Sequence, residues 1–282
     1  MEQQLINPEQ ELQNFERHLI LQSSLQPITI NAHLKCITRL FRIIKTTSPS
    51  DNQIENFVFE LRQSSYSCSH ISNNIVSIEK WSASCDRNLT FAKPKKPKRL
   101  IKDFLTEAEV SRIISASKNI REKGILSLLA YTGLRNRELC SLKVSDLDFG
   151  DNLVRVIKGK NCKDRVINMA GECTKILIKY LNEFPRSEDD FLFTTLRLNN
   201  QYSSGALRKL VKVVAKRAGI NRRVFVHIFR TSLASNLLKR GAGILTIKEQ
   251  LGHSDLSSTL IYLQSCPQRA KSEYDYYKPA YI

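Results

Sequence analysis

Six polar side chains between residues 135 and 262 together have the chemistry needed to transfer a phosphoryl group without a metal ion. They are Arg135, Lys160, His227, Arg230, His253 and Tyr262. Two guanidiniums can hold phosphate oxygens with paired hydrogen bonds and stabilise a pentacoordinate transition state. A lysine can protonate a leaving alkoxide, a histidine can move protons near neutral pH, and a tyrosine can attack and keep the phosphate as an ester.

Taken singly, each of these residues is more typical of an ordinary structural or surface position. His227 and Arg230 are three apart and so share one face of a helix, a common arrangement in structural sites. Arg135 follows a Gly133 helix end, where the next helix presents free N–H groups to an anion. Lys160 stands in a loop between two β-rich runs, where most lysines are solvated. The combination of residues therefore supports the chemistry, and no single member does.

Helical spacing of apolar residues dominates the first ninety or so positions. Four segments show it: about Pro8 to Leu21, about Thr29 to Ile44, a third capped by Ser50 or Asp51, and a fourth opened by Ser69. Four short helices of this kind predict a small all-helical domain. We find no catalytic constellation in it.

The rest of the chain combines helices with one short hairpin. A helix is predicted to start at Thr106, a second (Ile125–Tyr131) to stop at Gly133, and a third to cover Asn136–Leu142. The β-rich runs Leu153–Ile157 and Arg165–Met169 are separated by a loop typical of a hairpin. Further helices are predicted at about 173–184, 205–218, 228–238, 244–251 and 256–263. The fold class is therefore mainly α, with a larger α-rich domain that carries a small antiparallel sheet.

The charge balance indicates a polyanionic partner. There are 44 Lys and Arg against 27 Asp and Glu, a formal net charge of +17. The stretch between Asp190 and Glu249 contains no acidic residue but many cations. Like charges gathered in this way repel unless something neutralises them, so we expect this stretch to bind nucleic acid. The residues of the stretch chosen as candidate phosphate contacts are Arg208, Lys212, Arg222 and Arg223.

A short basic segment, Lys93–Arg99, is interrupted by two prolines and so predicts an extended linker. We place the domain boundaries at 1–92, 93–102 for the linker, and 103–282. The linker residues expected to lie on phosphate are Lys93, Lys95, Lys96, Lys98 and Arg99. A solvated tether without a ligand, or a nuclear-import-like run, is an alternative for this segment alone.

Several classes of protein are disfavoured by composition. No run of about eighteen apolar residues occurs, and the N-terminus lacks the pattern of a secretory signal. Seven cysteines without a Cys-x-x-Cys pair argue against a disulfide scaffold or a zinc site and favour a reducing cytoplasm. The sequence lacks the glycine-rich Gly-x-x-x-x-Gly-Lys loop of ATP-binding proteins. We therefore expect no cofactor, no metal and no membrane.

Four motifs resemble the tyrosine recombinases of the phage integrase family, and in particular its Xer-type members. They are Thr-Gly-Leu-Arg-Asn-Arg-Glu-Leu (132–139), Ile-Lys-Gly-Lys-Asn-Cys-Lys-Asp-Arg (157–165), His-Ile-Phe-Arg (227–230) and Leu-Gly-His-Ser-Asp-Leu-Ser-Ser-Thr-Leu-Ile-Tyr (251–262). The resemblance covers about residues 103 to 265. It implies a catalytic domain with the DNA breaking-rejoining fold, preceded by a SAM-like core-binding domain that binds DNA.

The resemblance also implies a role for each of the six side chains. Arg135 and Arg230 clamp the phosphate, Lys160 is the general acid, His227 assists proton transfer, His253 supports the scissile phosphate, and Tyr262 is the nucleophile. Lys158 and Lys163 flank Lys160 and are alternatives for the lysine. One departure is visible: the family usually has histidine after the second arginine, whereas Thr231 stands here. We expect it to change packing beside the site and not the chemistry.

By the same resemblance, the expected activity is site-specific recombination of double-stranded DNA through a 3′-phosphotyrosyl intermediate, without metal or ATP. The partners implied are duplex DNA and a homotetramer on two DNA sites, with a monomer in the absence of DNA left open. A C-terminal tail would join the protomers, and the protein would act in the cytoplasm on the nucleoid. The alternatives are a type IB topoisomerase, a non-catalytic DNA-binding or architectural protein, and a basic RNA-binding protein.

Overall fold

The computed structural model describes residues 8–95, 103–157, 164–195, 200–253, 255–260 and 262. The chain divides into two compact units, Met1–Lys98 and Arg99–Ile282. This division falls inside the segment that the sequence predicts to be a linker. The functions expected of the two domains stay predictions.

Four helices form the first unit, as predicted. They are α1 (Pro8–Gln22), α2 (Pro27–Ile44), α3 (Asp51–Gln63) and α4 (Cys68–Ser84). Ser50 caps α3 in a reciprocal box, because its hydroxyl accepts the Gln53 N–H while the Gln53 side chain accepts the Ser50 N–H. Helix α4 begins earlier than predicted, since Ser67 is its N-cap and accepts the His70 N–H at 3.2 Å.

The core of the first unit is made by the inward faces of these helices. Trp81 is among its largest fully buried side chains and meets Phe41 edge-on, with ring centroids 5.4 Å apart. Between α2 and α4 the packing includes polar groups, since the His33 Nδ1 and Ser77 Oγ lie 2.8 Å apart in a buried position. This hydrogen bond joins the two helices through residues that are 44 positions apart in sequence.

The second unit is mostly helical with a small sheet. Its elements are α5 (Glu107–Ser115), α6 (Ile120–Thr132), α7 (Asn136–Ser141), a 3₁₀ turn (Val144–Asp146), β1 (Leu147–Asp148), β2 (Leu153–Val156), β3 (Arg165–Asn168), α8 (Gly171–Glu183), α9 (Ser204–Arg217), α10 (Val226–Lys239), α11 (Ile244–Leu251) and α12 (Ser257–Leu260). The fold class predicted from the sequence is thereby confirmed. The helix predicted at about 256–263 is described as helical only over Ser257–Leu260.

The sheet is antiparallel with strand order β1-β2-β3. Strands β2 and β3 form the predicted hairpin, in which Val154 faces Ile167 and Val156 faces Arg165. Strand β1 was not predicted, because two residues are too short to show alternation in the sequence. The tip of the hairpin, which carries Lys160 and its neighbours Lys158 and Lys163, lies outside the described residues.

Helix α6 lies at the centre of the second unit and packs against α5, α8 and α10. It is buried around most of its circumference, and it ends at Gly133 as predicted, with φ +63°. A side chain at Gly133 would meet Leu251 at 3.0 Å and Leu233 at 3.1 Å. The tight left-handed turn therefore lets α6 end against α10 and α11 and turns the chain directly into Arg135.

Within the described ranges, no helix is both long and apolar enough to cross a lipid bilayer.

Candidate active site

Arg230 lies on α10 with only 1 % of its surface exposed. Its Nη1 donates to the Gly133 carbonyl at 2.9 Å, and its Nη2 donates to the Leu251 carbonyl. These two carbonyls belong to the ends of α6 and α11. Arg230 therefore holds three helices together from inside the protein, while burial and the neighbouring Arg135 lower its pKa to about 10. It remains charged at neutral pH.

Arg135 is the N-cap residue of α7 and is partly exposed. Its backbone N–H donates to Glu138 Oε2 at 2.8 Å, and its Nη1 donates to Glu138 Oε1 at 2.8 Å. The capping contact fixes the backbone at Arg135, and the side-chain contact fixes its guanidinium. Gly133, two residues before Arg135, accepts a hydrogen bond from the Arg230 guanidinium. The turn at the end of α6 therefore keeps the two arginines close to each other.

Glu138 and Arg165 belong to the same cluster, although neither was predicted from the sequence to have a role. Arg165 binds the Glu138 carboxylate with a forked pair of hydrogen bonds, 2.9 Å from Nη1 to Oε1 and 2.7 Å from Nη2 to Oε2. Burial alone would raise the pKa of Glu138, but the hydrogen bonds from Arg165 and Arg135 lower it to about 2. The carboxylate is therefore ionised and shared between two arginines.

Tyr262 is almost completely buried, with 1 % exposure, and packs with Leu238 and Leu251. Its ring stacks on that of His253, with centroids 6.2 Å apart and an angle of 17° between the planes. Burial raises the pKa of the phenol, while the positive charge of Arg230, a hydrogen bond with Thr231 and the charge of Arg135 oppose that rise. The phenol is therefore near both guanidiniums and stays protonated in this state.

The two histidines occupy different surroundings. His253 follows Gly252, which ends α11 in the left-handed conformation (φ +63°), and its Nδ1 lies 2.8 Å from the Thr259 hydroxyl. His227 lies in the first turn of α10 and is exposed. Thr231, the residue that departs from the family pattern, donates its hydroxyl to the His227 carbonyl at 3.3 Å.

The structure thus brings Arg135, Arg230, His253 and Tyr262 into one site. His227 lies one helical turn before Arg230 on the same face of α10. Lys160 lies outside the described residues. Over the part of the chain that is described, there is no group of three or more His, Cys, Asp or Glu side chains that could hold a metal ion.

The family model of the phage integrase family matches residues 103–269, which is more than half of the chain. The chain belongs to the phage integrase family of tyrosine recombinases. Enzymes of this class break and rejoin DNA.

Relatives of this tyrosine recombinase include the tyrosine recombinase XerA of Pyrococcus horikoshii, 34% identical over 89% of this chain and 87% of that protein. A tyrosine recombinase of Pseudothermotoga lettingae is 34% identical over 61% of this chain, and the alignment spans 60% of that relative's own length. Among solved structures, the crystal structure of XerA recombinase has a TM-score of 0.57 with 27% identity, covering 98% of this chain and 100% of that one.

The fold is shared more widely. The XerH site-specific recombinase, solved as a post-cleavage complex with palindromic difH DNA, has a TM-score of 0.68. Its identity to this tyrosine recombinase is 16%, over 99% of each chain. At that identity the likeness concerns the fold.

The basic residues expected to contact DNA occupy varied positions in this tyrosine recombinase. In the second unit, Arg208, Lys212 and Arg223 are exposed. Arg222 instead donates to the carboxylates of Asp103 and Glu109. Of the linker residues, Lys95 is exposed and Lys93 pairs with Glu79 at 2.9 Å. Lys96, Lys98 and Arg99 lie outside the described residues.

Part of the positive charge of the acid-free stretch is compensated within the second unit. Acidic residues distant in sequence pair with some of its arginines. Arg217 binds Glu122 at 2.9 Å, and Arg240 binds Glu107 at 2.6 Å. Together with Arg222, these pairs reduce the positive charge that this stretch presents.

Proposed function

We propose that this tyrosine recombinase exchanges DNA strands at specific sites through a covalent bond between Tyr262 and a 3′-phosphate, without metal or ATP. The observation that carries the proposal is the position of Tyr262, whose ring stacks on His253 and whose hydroxyl is near Arg230 and Arg135. A phenol, two guanidiniums and an imidazole around one point can accommodate a single phosphate.

The chemistry follows from these positions. The Tyr262 hydroxyl gives its proton to His227 as its oxygen forms a bond to phosphorus, the bond from phosphorus to the 5′ oxygen breaks, and the leaving 5′ oxygen takes a proton from Lys160. Arg135 and Arg230 hold the non-bridging oxygens, whose negative charge increases in the transition state. His227 assists proton transfer and His253 supports the phosphate. The 5′-hydroxyl of a partner strand then attacks the phosphotyrosyl bond and restores Tyr262, so that the energy of the broken bond is conserved.

The proposed substrate is double-stranded DNA, in the cytoplasm on the nucleoid. The solved complex of XerH with difH DNA supports this choice, as does the net charge of +17. The two domains would bind the duplex together, with the linker 93–102 on its backbone. Most contacts would be to phosphates, so affinity should fall steeply with salt.

The proposed active assembly is a tetramer on two DNA sites, joined by C-terminal tails. The tail holds four tyrosines, Tyr274, Tyr276, Tyr277 and Tyr281. A short segment buries little of such aromatic surface by itself, which favours docking on a neighbouring protomer. The tail lies outside the described residues.

Trapping of the covalent intermediate tests the proposal. Nicked duplexes tiled across the DNA that flanks the gene would let the short cleaved fragment diffuse away, so that the phosphotyrosyl adduct accumulates and is seen on a denaturing gel. We expect an adduct with the wild-type protein and none with Tyr262→Phe, which should still bind DNA. Tyr276→Phe and Tyr277→Phe are the matched controls and should form adduct normally. An adduct formed by Tyr262→Phe would overturn the assignment of the nucleophile.

A two-site recombination assay and a supercoil-relaxation assay, run on matched plasmids with and without the trapped site, separate recombination from a topoisomerase activity. We expect exchange between two copies of the trapped site. Relaxation of a plasmid that lacks the site, without exchange, would instead indicate a type IB topoisomerase.

A further inference from the structure

Arg165 is the first residue of β3, the strand that leaves the hairpin loop, and only 13 % of its side chain is exposed. Its fork occupies both oxygens of Glu138, at 2.9 and 2.7 Å. Forked pairs of this kind are stronger and more rigid than single contacts. Arg165 therefore has the stronger hold on the carboxylate.

The Arg135 guanidinium shares the same carboxylate but makes fewer contacts with it than the Arg165 guanidinium does. Within the described ranges, its guanidinium contacts Glu138 only from Nη1 to Oε1, at 2.8 Å. An arginine has five N–H donors. This side-chain contact and the backbone N–H bond to Oε2 anchor Arg135, and they leave most donors of its guanidinium for a phosphate.

The charges around Glu138 do not cancel. A single carboxylate, that of Glu138, is surrounded by three guanidiniums, those of Arg135, Arg165 and Arg230, whose charges shift the pKa values within the cluster. The cluster therefore carries an excess of positive charge. Without Arg165, both Glu138 oxygens would have an acceptor site open to the Arg135 guanidinium, beside the backbone N–H that Oε2 already accepts, and the two side chains could form the forked pair that Arg165 now makes. Arg135 would then be neutralised and turned away from a bound phosphate.

Arg165 also packs against Gly252, the residue before His253. A Cβ built on Gly252 would overlap the Arg165 side chain. The same arginine thus touches the turn that presents His253 and the carboxylate that anchors Arg135.

We propose that Arg165 is a positioning residue for strand cleavage, which occupies Glu138 so that Arg135 remains available to the phosphate and which supports the turn that carries His253. The inference rests on the proposed function, since it assigns Arg165 to the same reaction. It acts through Glu138 and does not itself touch the DNA.

The test compares single-turnover adduct formation at saturating DNA, using the nicked duplex that traps the wild-type protein best. Arg165→Met removes the charge and the fork but keeps an apolar chain. We expect wild-type DNA affinity and a cleavage rate lower by roughly 10- to 100-fold, the range for a misplaced catalytic group. Arg155→Met, on the neighbouring strand β2 with an exposed side chain, is the matched control and should cleave at the wild-type rate.

The double variant Glu138→Gln/Arg165→Met separates positioning from a general structural role. Glutamine cannot neutralise Arg135, so we expect the double variant to cleave faster than Arg165→Met alone. A purely structural cluster predicts the opposite, because a second change in a buried network adds damage. A double variant that is slower than Arg165→Met would overturn the inference, as would Arg165→Met that cleaves at the wild-type rate.

Arg165→Lys keeps the test decisive if Arg165→Met does not fold. Lysine keeps the charge but lacks the forked geometry, so we expect a folded protein that cleaves more slowly than wild type. Where Arg165→Met also folds, the rate of Arg165→Lys should lie between those of wild type and Arg165→Met. A wild-type rate for Arg165→Lys would then overturn the inference. Failure of the wild-type protein to form any adduct would remove the proposed function and this inference with it.

Discussion

The two units bury polar groups of different kinds. In the first unit the buried polar groups are neutral: His33 contacts Ser77 at 2.8 Å, and the Cys36 thiol donates to the Asn74 side chain at 3.1 Å. Burial and the charge of Lys80 lower the pKa of His33, so it is uncharged at neutral pH. The second unit also buries neutral hydroxyls, such as those of Ser127 and Thr132, but it buries ions as well: Arg230 is 1 % exposed, and the Glu138 carboxylate is bound by two arginines.

Neutral hydrogen bonds and buried ions differ in their energetic cost, and this difference indicates the role of each. A neutral hydrogen bond between helices costs little to bury and fixes how α2 meets α4. A buried guanidinium is expensive to desolvate, and apolar side chains of similar size often give equal stability. The ions of the second unit are therefore better explained by the phosphate charge that we propose they meet during cleavage.

The largest expected effect comes from removing a buried ion of the second unit. Arg230→Ala should lose about 3 kcal/mol or more of transition-state stabilisation, by analogy with deleting one oxyanion donor, which is at least about 100-fold in rate. Single-turnover cleavage of the trapped duplex measures it. Ser77→Ala, which removes a buried polar group from the first unit, is the control and should cleave normally. An unchanged rate for Arg230→Ala would remove the phosphate-clamping role.

A somewhat smaller effect is expected on the pH dependence of stability. The pKa of Glu138 is about 2 in the folded protein, against an ordinary value of 4.5. Its contribution to stability is therefore complete above pH 4.5 and is lost as the pH falls towards 2, with a total of about 3 kcal/mol. The difference in urea unfolding free energy between wild type and Glu138→Gln should shrink by about 2 kcal/mol between pH 6 and pH 3. A difference that stays constant between pH 6 and pH 3 would show that ionisation of Glu138 does not stabilise the folded protein.

Breaking the neutral contact of the first unit should have a modest effect on stability alone. Ser77→Ala should lower the free energy of unfolding by about 1 kcal/mol, because one buried hydrogen bond is lost. Chemical denaturation monitored by the fluorescence of Trp81, which lies in the same unit, measures it. Because folding lowers the pKa of His33, the contribution of this group to the free energy of unfolding is complete above pH 6.5 and decreases as the pH falls below that value. Loss of cleavage activity in a folded Ser77→Ala protein would contradict the contrast between the two units.

Substitutions of surface arginines should have the smallest effect, which we expect on the salt dependence of DNA binding. Arg208 is exposed, whereas Arg222 is held by Asp103 and Glu109. If Arg208 contacts a phosphate, Arg208→Ala should reduce the slope of log affinity against log salt by about 1. Arg222→Ala should change the slope less, because its charge is already compensated. Equal losses in a filter-binding titration would mean that Arg222 leaves its carboxylates when DNA binds.

Much of the fold could be predicted because local chemistry determines it. The Thr106 and Ser50 caps, the Gly133 turn and the alternation in β2 are encoded within a few neighbouring residues, and the structure contains all four. The start of α4 was misplaced, since Ser67 and Ser69 are both suitable caps and only the geometry selects Ser67.

The site was predicted in part. Residues with a distinctive type or motif, such as Arg230 and Tyr262, were identified from the sequence, and their roles stay predictions. Arg165 was not, because an arginine at the start of a strand resembles any surface cation, and its partner Glu138 is 27 residues away. The one local signal that could have pointed to this cluster is the three-residue spacing from Arg135 to Glu138, which is that of a capping box and by itself indicates only a helix start.

The contact between Gly252 and Arg165 constrains how this enzyme can change. Asparagine is the residue that most readily replaces glycine in a left-handed turn, yet here any Cβ would collide with the arginine side chain. Glycine at 252 is thus required twice, once by its φ of +63° and once by its neighbour. A mutational library that varies positions 165 and 252 together should return another residue at 252 only beside a smaller residue at 165, and such clones should cleave slowly because the fork to Glu138 is lost. The two positions are thus expected to diverge only as a pair.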